Sequence, residues 1–182
     1  MKAAIGLLEI KTVTRGIEAA DQMLKSANVE LVMAQPLCPG KYVIMVTGDV
    51  GAVQSAVRTG KTVGADSVVD EFVLPNVHPG VYPALAGCTD VKELKALGVI
   101  ESFSVASAIT AADAAAKAAP VELVEIRLAR GMGGKAVVLL TGDVGAVTAA
   151  VRTGSAMIED SGFLVDRLVI AAPHKALHEA LF

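Results

Sequence analysis

The side chains able to do chemistry are few and cluster in turns. Cys38 lies in Pro36-Leu37-Cys38-Pro39-Gly40, and a thiolate there is both a nucleophile and a soft metal ligand. The other cysteine is Cys88. The two have no CxxC spacing, and in a reducing compartment no structural disulfide is expected. Gly131-Met132-Gly133-Gly134-Lys135 has the outline of a phosphate loop, but Ala129 stands where that motif needs glycine, and Ala136 where it needs the magnesium-binding Ser or Thr. Gly48-Asp49-Val50-Gly51 lacks the GxGxxG pattern, and Asp49 puts a negative charge where a phosphate needs donors. Its carboxylate is better placed to cap a helix, as is that of Asp143. His174 and His178 are spaced i, i+4 as zinc ligands on a helix can be, without the acid of an HExxH motif, and they read as structural along with His78. No nucleophile, base and orienting acid recur together, so no enzymatic activity is expected.

The elements that carry these residues occur twice. Thr47-Gly48-Asp49-Val50-Gly51-Ala52-Val53 returns letter for letter from Thr141 to Val147, and Ala56-Val57-Arg58-Thr59-Gly60 from Ala150 to Gly154. Upstream, Gly6-Leu7-Leu8-Glu9 matches Gly98-Val99-Ile100-Glu101, and Val29-Glu30-Leu31 matches Val121-Glu122-Leu123; near the ends, His78 matches His174. Two copies are too few for a solenoid, and the chain reads as two domains, 1–88 and 94–182. In each copy the pattern predicts a strand (Ala3 to Ile10 in the first) and then a helix from Arg15 to Ser26 capped by Thr14, with Ile17, Ala20, Leu24 and Ala27 as its buried stripe; Ile109, Ala112, Ala116 and Ala119 repeat the stripe. Strands follow at Val29 to Ala34 and Lys41 to Val46, and at Val121 to Leu128 and Lys135 to Leu140. A second helix buries Val50, Val53 and Val57, or Val144, Val147 and Val151. A strand at Ser67 to Leu74, or Phe163 to Ile170, and a short helix complete a βαββαβ(α) unit. The fold class is α/β in the α+β, ferredoxin-like sense.

Composition narrows the setting. The 182 residues carry 16 Lys plus Arg against 19 Asp plus Glu, for a net charge of −3, which excludes a basic nucleic-acid footprint. Apolar residues make up 53% and mean hydropathy is +0.57, a surface expected to be covered by self-association. The longest apolar runs, such as Ala136 to Leu140, fall far short of the roughly 18 to 20 residues of a membrane span. The opening Met1 to Gly6 runs into a strand without a signal-peptide pattern, so a cytosolic chain is expected.

Ala4-Ile5-Gly6-Leu7-Leu8-Glu9, Ala20-Asp21 with Lys25-Ser26-Ala27-Asn28-Val29, Gly48-Asp49-Val50-Gly51-Ala52-Val53 and the late Pro-containing His segment together resemble a bacterial microcompartment shell (BMC) domain, and the duplicate resembles the tandem-domain, trimer-forming members of that family. The resemblance spans the whole chain. It implies two BMC domains per chain, a homotrimer whose six domains form a pseudohexagonal tile, and assembly with other shell proteins into the facet of a metabolic compartment. Neither nucleic acid nor a membrane is an implied partner.

It also implies roles for the turns. In shell domains the loop between the second and third strands lines an axial pore, which places Cys38, Pro39 and Gly40 there in alternation with Met132, Gly133 and Gly134. In the propanediol-utilisation type of tandem shell protein, the corresponding loop has the same Cys-Pro-Gly-Lys sequence and its cysteine binds a 4Fe-4S cluster on the threefold axis. The implied cofactor is therefore one 4Fe-4S cluster per trimer, ligated by Cys38 of three chains, to pass electrons to or from encapsulated redox enzymes. Three thiolates on an axis answer the cluster's need for sulfur, leaving one iron to solvent, a small molecule or another protein group. Loop N–H groups would stabilise its charge and Met132 would restrict solvent. The alternative for Cys38 is a free thiol beside a pore, or an adventitious metal site. Cys88, without a counterpart, is read as structural or incidental. Lys25, with Lys117 its second-copy equivalent, corresponds to the family's tile-edge lysine. The Arg of the family's Pro-Arg-Pro-His segment is missing: Pro75-Asn76-Val77-His78 and Ala171-Ala172-Pro173-His174 stand there, and edge packing is expected to differ. A plain structural or metabolite-passing tile and a duplicated ferredoxin-like regulator are the rival functions.

Overall fold

The computed structural model describes residues 4–181. The first copy runs β1 (Ala4–Ile10), α1 (Val13–Ser26), β2 (Val29–Leu37), β3 (Lys41–Gly48), α2 (Val50–Gly64), a 3-10 turn at Ala65–Ser67, β4 (Val68–Leu74) and α3 (Val81–Ala86). The second repeats that order as β5 (Ala96–Ser102), α4 (Val105–Ala118), β6 (Glu122–Leu128), β7 (Ala136–Gly142), α5 (Val144–Glu159), β8 (Leu164–Ile170) and α6 (Lys175–Leu181). Both sheets are antiparallel, in the orders β2-β3-β1-β4 and β6-β7-β5-β8, the ferredoxin-like arrangement. Ala3, assigned to the first strand by pattern, lies outside the described residues.

The chain forms two compact units. The first extends through Val77 and takes in Ser104–Ser107 and Ala129–Lys135; the second consists of His78–Phe103, Ala108–Leu128 and the described chain from Ala136 onward. In the first, α1 and α2 pack on each other and on β1 and β3 around Leu8, Ile10, Met23, Ile44, Val46 and Val53. Every residue of β1 is buried, which is why it reads as an unbroken apolar run apart from Glu9. In the second, Leu97, Val124 and Leu139 form a cluster that Val91, Leu94, Leu177 and Leu181 cover.

Local details depart from the sequence expectation where packing overrides pattern. The helix α1 starts at Val13, with Thr12 extended (φ −128°, ψ 140°) at the N-cap, so Thr14 lies inside the helix and caps nothing. The strand direction persists that far because Lys11 N–H still bonds Ser67 O at 2.8 Å. The buried face of α1 is Gly16, Ala19, Ala20 and Met23, while Ile17 and Leu24 are exposed. Gly16 decides this rotation: a Cβ there would fall inside the van der Waals envelope of Tyr42, so the helix sits close to the sheet along its small residues. In α4 the expected Ile109, Ala112 and Ala116 are buried. Val53, Val57, Val147 and Val151 are buried as expected, but Val50 and Val144, in the first helical turns, are exposed. Asp49 and Asp143 occupy the N-cap positions, yet neither carboxylate makes a capping hydrogen bond; Asp143 Oδ1 instead accepts from Lys95 Nζ at 3.3 Å.

Candidate functional site

The Cys38 turn closes the β2–β3 hairpin. The strands stay paired to Leu37 opposite Lys41, leaving Cys38, Pro39 and Gly40 as the loop. Pro36 and Leu37, expected in the turn, therefore belong to β2. Gly40 N–H donates to Leu37 O at 2.8 Å with φ at +108°, the left-handed residue that a three-residue hairpin loop needs. The Cys38–Pro39 peptide is cis and the Cys38 thiol is exposed.

The glycine-rich segment Ala129–Lys135 lies against this turn in the same unit. Cys38 N–H donates to Ala129 O at 3.2 Å, Lys41 Nζ to Gly134 O at 3.1 Å, and Arg130 Nη2 to Gln35 Oε1 at 2.7 Å. Gly134 has φ +90°, and a Cβ there would stand 2.8 Å from Pro39 Cδ and 3.2 Å from Cys38 O. Only glycine permits that approach. Pro39 and Cys38 are thus brought against Gly134 of the glycine-rich loop. The loop N–H groups are less free than expected. Those of Cys38 and Gly40 are committed, and Lys135 N–H donates to Met132 O at 3.1 Å, so among the described residues the amides of Gly131 to Gly134 are the loop N–H groups with no protein acceptor.

Beneath the loops lies a charge that sequence reasoning missed. Glu9 is wholly buried, and its Oε1 pairs with the Lys41 ammonium. Its Oε2 accepts from Val105 N–H at 2.9 Å, Ala106 N–H at 3.4 Å and Ser104 Oγ at 3.0 Å, so the carboxylate sits on the N-terminal turn of α4. Ser104 Oγ also reaches Asp70 Oδ2, with one proton to give, and accepts from Ser107 N–H at 3.1 Å; Ser107 Oγ donates to Asp70 at 2.6 Å. All belong to the first unit. One signal was visible: a lone carboxylate inside the otherwise apolar Ala4-Ile5-Gly6-Leu7-Leu8-Glu9-Ile10 demands a buried partner.

The remaining candidates fall elsewhere. His78 Nδ1 accepts from Gly80 N–H, and His174 Nδ1 from Ala176 N–H, both at 3.2 Å, which is the shared structural role their matching positions imply. Lys25 pairs with Asp21 at 2.7 Å on an exposed face; Lys117 pairs at 2.5 Å with the buried Asp113. Cys88 is exposed, its Sγ 3.6 Å from Pro83 O. Among the described residues no three His, Cys, Asp or Glu side chains of this chain gather as a metal site, and no helix is long and apolar enough to cross a membrane.

Two α+β repeats with the same order of strands and helices correspond to a known domain. The BMC domain matches residues 4–77 and 96–173. This chain belongs to the BMC-domain family. As a BMC tandem it is 46% identical over 97% of its length, and 96% of the relative's, to the bacterial microcompartment shell protein PduT of Citrobacter freundii. The single-domain shell protein PduA of the same organism is 43% identical over 45% of this chain and 90% of its own. A crystal structure of a microcompartment protein from Desulfitobacterium hafniense DCB superimposes with a TM-score of 0.87 at 52% identity, covering 98% of this chain and 99% of that one. A fused permuted hexameric shell protein of the RMM microcompartment shares the fold, with a TM-score of 0.67 at 21% identity, over 87% of this BMC tandem and 84% of that chain. The protein is a structural microcompartment shell protein similar to PduT.

Proposed function

We propose that three copies of this chain form a pseudohexagonal tile of the shell facet, with BMC domains at 1–88 and 94–182, and that Cys38 from each holds a 4Fe-4S cluster on the axis. The observation that supports this reading is the exposed Cys38 thiol at the tip of a hairpin locked against the glycine loop by Ala129 O and by Gly134. The residues fit such a group in ligand type: one soft thiolate per chain is too few alone, and threefold symmetry multiplies it. The cluster would supply one-electron transfer across the shell, toward or from encapsulated redox enzymes. This chain's part is to hold the thiols, keep Met132 and the glycine loop over them, and offer the uncommitted loop amides. Lys25 and Lys117 are assigned to the tile edge, Lys25 as the freer of the two because Asp113 holds Lys117 at a buried carboxylate.

Anaerobic purification with iron and sulfide analysis, and EPR after reduction, tests the cluster. Wild type is expected to carry about four irons per three chains, and Cys38→Ser none. A wild type that stays iron-free after anaerobic reconstitution removes the cluster and leaves the second reading, a structural or metabolite-passing tile. In that reading the exposed Cys38 thiol stays free beside the pore.

A further inference from the structure

The second hairpin is longer than its closure requires. Cys38, Pro39 and Gly40 suffice to join β2 to β3, whereas the seven residues from Ala129 to Lys135 join β6 to β7. The longer segment has a particular backbone. Its φ is +43° at Ala129, +71° at Gly131, +61° at Gly133 and +90° at Gly134, with Arg130 and Met132 outside the positive range, so the sign alternates from Ala129 to Gly133. Alternation of this kind turns successive N–H groups toward one side of the chain and makes an anion-binding concavity. The amides of Gly131, Met132, Gly133 and Gly134 have no protein acceptor among the described residues. The bend is also fixed in place. Ala129 is a buried non-glycine residue held at positive φ, with Cys38 N–H on its carbonyl.

The charges around the segment have one sign. Arg130 and Lys135 flank the glycines, and Lys41 Nζ reaches Gly134 O. Neither the segment 129–135 nor the turn 36–41 contains Asp or Glu, and the buried Glu9 beneath them is held by Lys41 and α4. Arg130 is exposed and gives only Nη2, to Gln35 Oε1; the rest of its guanidinium has no acceptor among the described residues. A Cβ added at Gly131 or Gly133 would meet nothing within 4 Å, so the loop is open there. The phosphate-loop outline of the sequence is therefore half realised. Amides and a cation are present, while Ala136 supplies no hydroxyl to hold magnesium, which suits one small oxyanion and not a magnesium nucleotide.

We propose that Gly131 to Gly134, with Arg130, bind one anionic oxygen of a small phosphate or carboxylate. The amides supply the hydrogen bonds, Arg130 supplies the charge, and glycine at 131 and 133 permits the backbone that aims the amides. The inference goes beyond the cluster reading. A cluster would draw on the same amides, so the oxyanion is the ligand of the cluster-free loop.

The test uses the full chain carrying Cys38→Ser, which removes the proposed cluster ligand. The protein is labelled with nitrogen-15 at glycine, its signals are assigned by single substitutions, and it is titrated with inorganic phosphate, acetate or chloride at constant ionic strength. Phosphate, acetate or both are expected to shift the amide signals of Gly131, Gly133 and Gly134 saturably, and chloride is not. Which of the two oxyanions acts identifies the ligand as phosphate or carboxylate. Gly133→Val places a branched side chain at φ +61° on the open side of the loop, so it is expected to keep the circular dichroism spectrum and bind about 10-fold more weakly. Arg130→Gln is expected to bind about 3-fold more weakly, the loss of one solvent-screened charge. No saturable shift with either oxyanion, an equal shift with chloride, or full affinity in either variant overturns the site. Those results leave the cluster reading standing, because the tested chain lacks Cys38; an iron-free wild type removes the cluster and leaves this site.

Discussion

Replacing Lys41 with Met tests whether the loop lysine is an internal tether. Lys41 is largely buried, and its ammonium is paired with Glu9 Oε1, which has no other partner among the described residues. The other oxygen keeps Ser104 and two amides of α4. Without Lys41, half of a fully buried carboxylate faces apolar surroundings, and the Gly134 carbonyl loses its donor. Removing one partner of such a pair costs about 3–5 kcal/mol, and the remaining hydrogen bonds place Lys41→Met at the lower end, about 3 kcal/mol. For a chain of this length that is a fall of about 6–12 °C in Tm. Glu9→Gln is milder, about 1–2 kcal/mol, because the amide oxygen still accepts from α4 and Lys41 can move toward solvent. The double variant is expected to lose less than the sum of the two. Urea and thermal denaturation at one fixed protein concentration read these values, since assembly contributes to apparent stability. A Lys41→Met protein within about 0.5 kcal/mol of wild type refutes the tether.

Other expectations follow from the same geometry. Gly134→Ala strains a positive φ and pushes on Pro39, so it should lower stability by about 1–2 kcal/mol and broaden any cluster EPR signal without removing iron. Ser104→Ala removes the hydroxyl shared by Glu9 and Asp70 and the cap of Ser107 N–H; a loss of about 1–2 kcal/mol is expected by denaturation. Gly16→Ala should cost about 1–3 kcal/mol in the native background and less in Tyr42→Ala, which removes the ring atoms at 2.5 Å but keeps the nearer Cβ, an attenuation readable in Tm.

That last pair shows where the two copies part company. Gly16 with Tyr42 in the first copy corresponds to Ala108 with Ala136 in the second: the space is shared differently, and the helix still lies on the sheet. Gly60 faces Met23 in the same way that Gly154 faces Ala111 and Ala115. Hydrophobic spacing alone cannot choose among such faces, because Ile17 and Leu24 satisfy the helical period as well as Gly16 and Met23 do. The real face of α1 is the one that lets backbones approach, and that depends on Tyr42 across the sheet.

From the sequence by itself came the duplication, the order of strands and helices, the shell-domain resemblance, the matched roles of His78 and His174, and the turn that carries Cys38, all of which depend on neighbours within a few residues or on comparison of one copy with the other. The tertiary structure alone decided that Glu9 would sit under the N-terminus of α4, that Lys41 would reach Gly134, and that Asp49 would occupy a cap position without bonding there. Those outcomes join residues up to 97 positions apart. Burial makes them compulsory, since a charge taken out of water must find its partner wherever the fold has placed one.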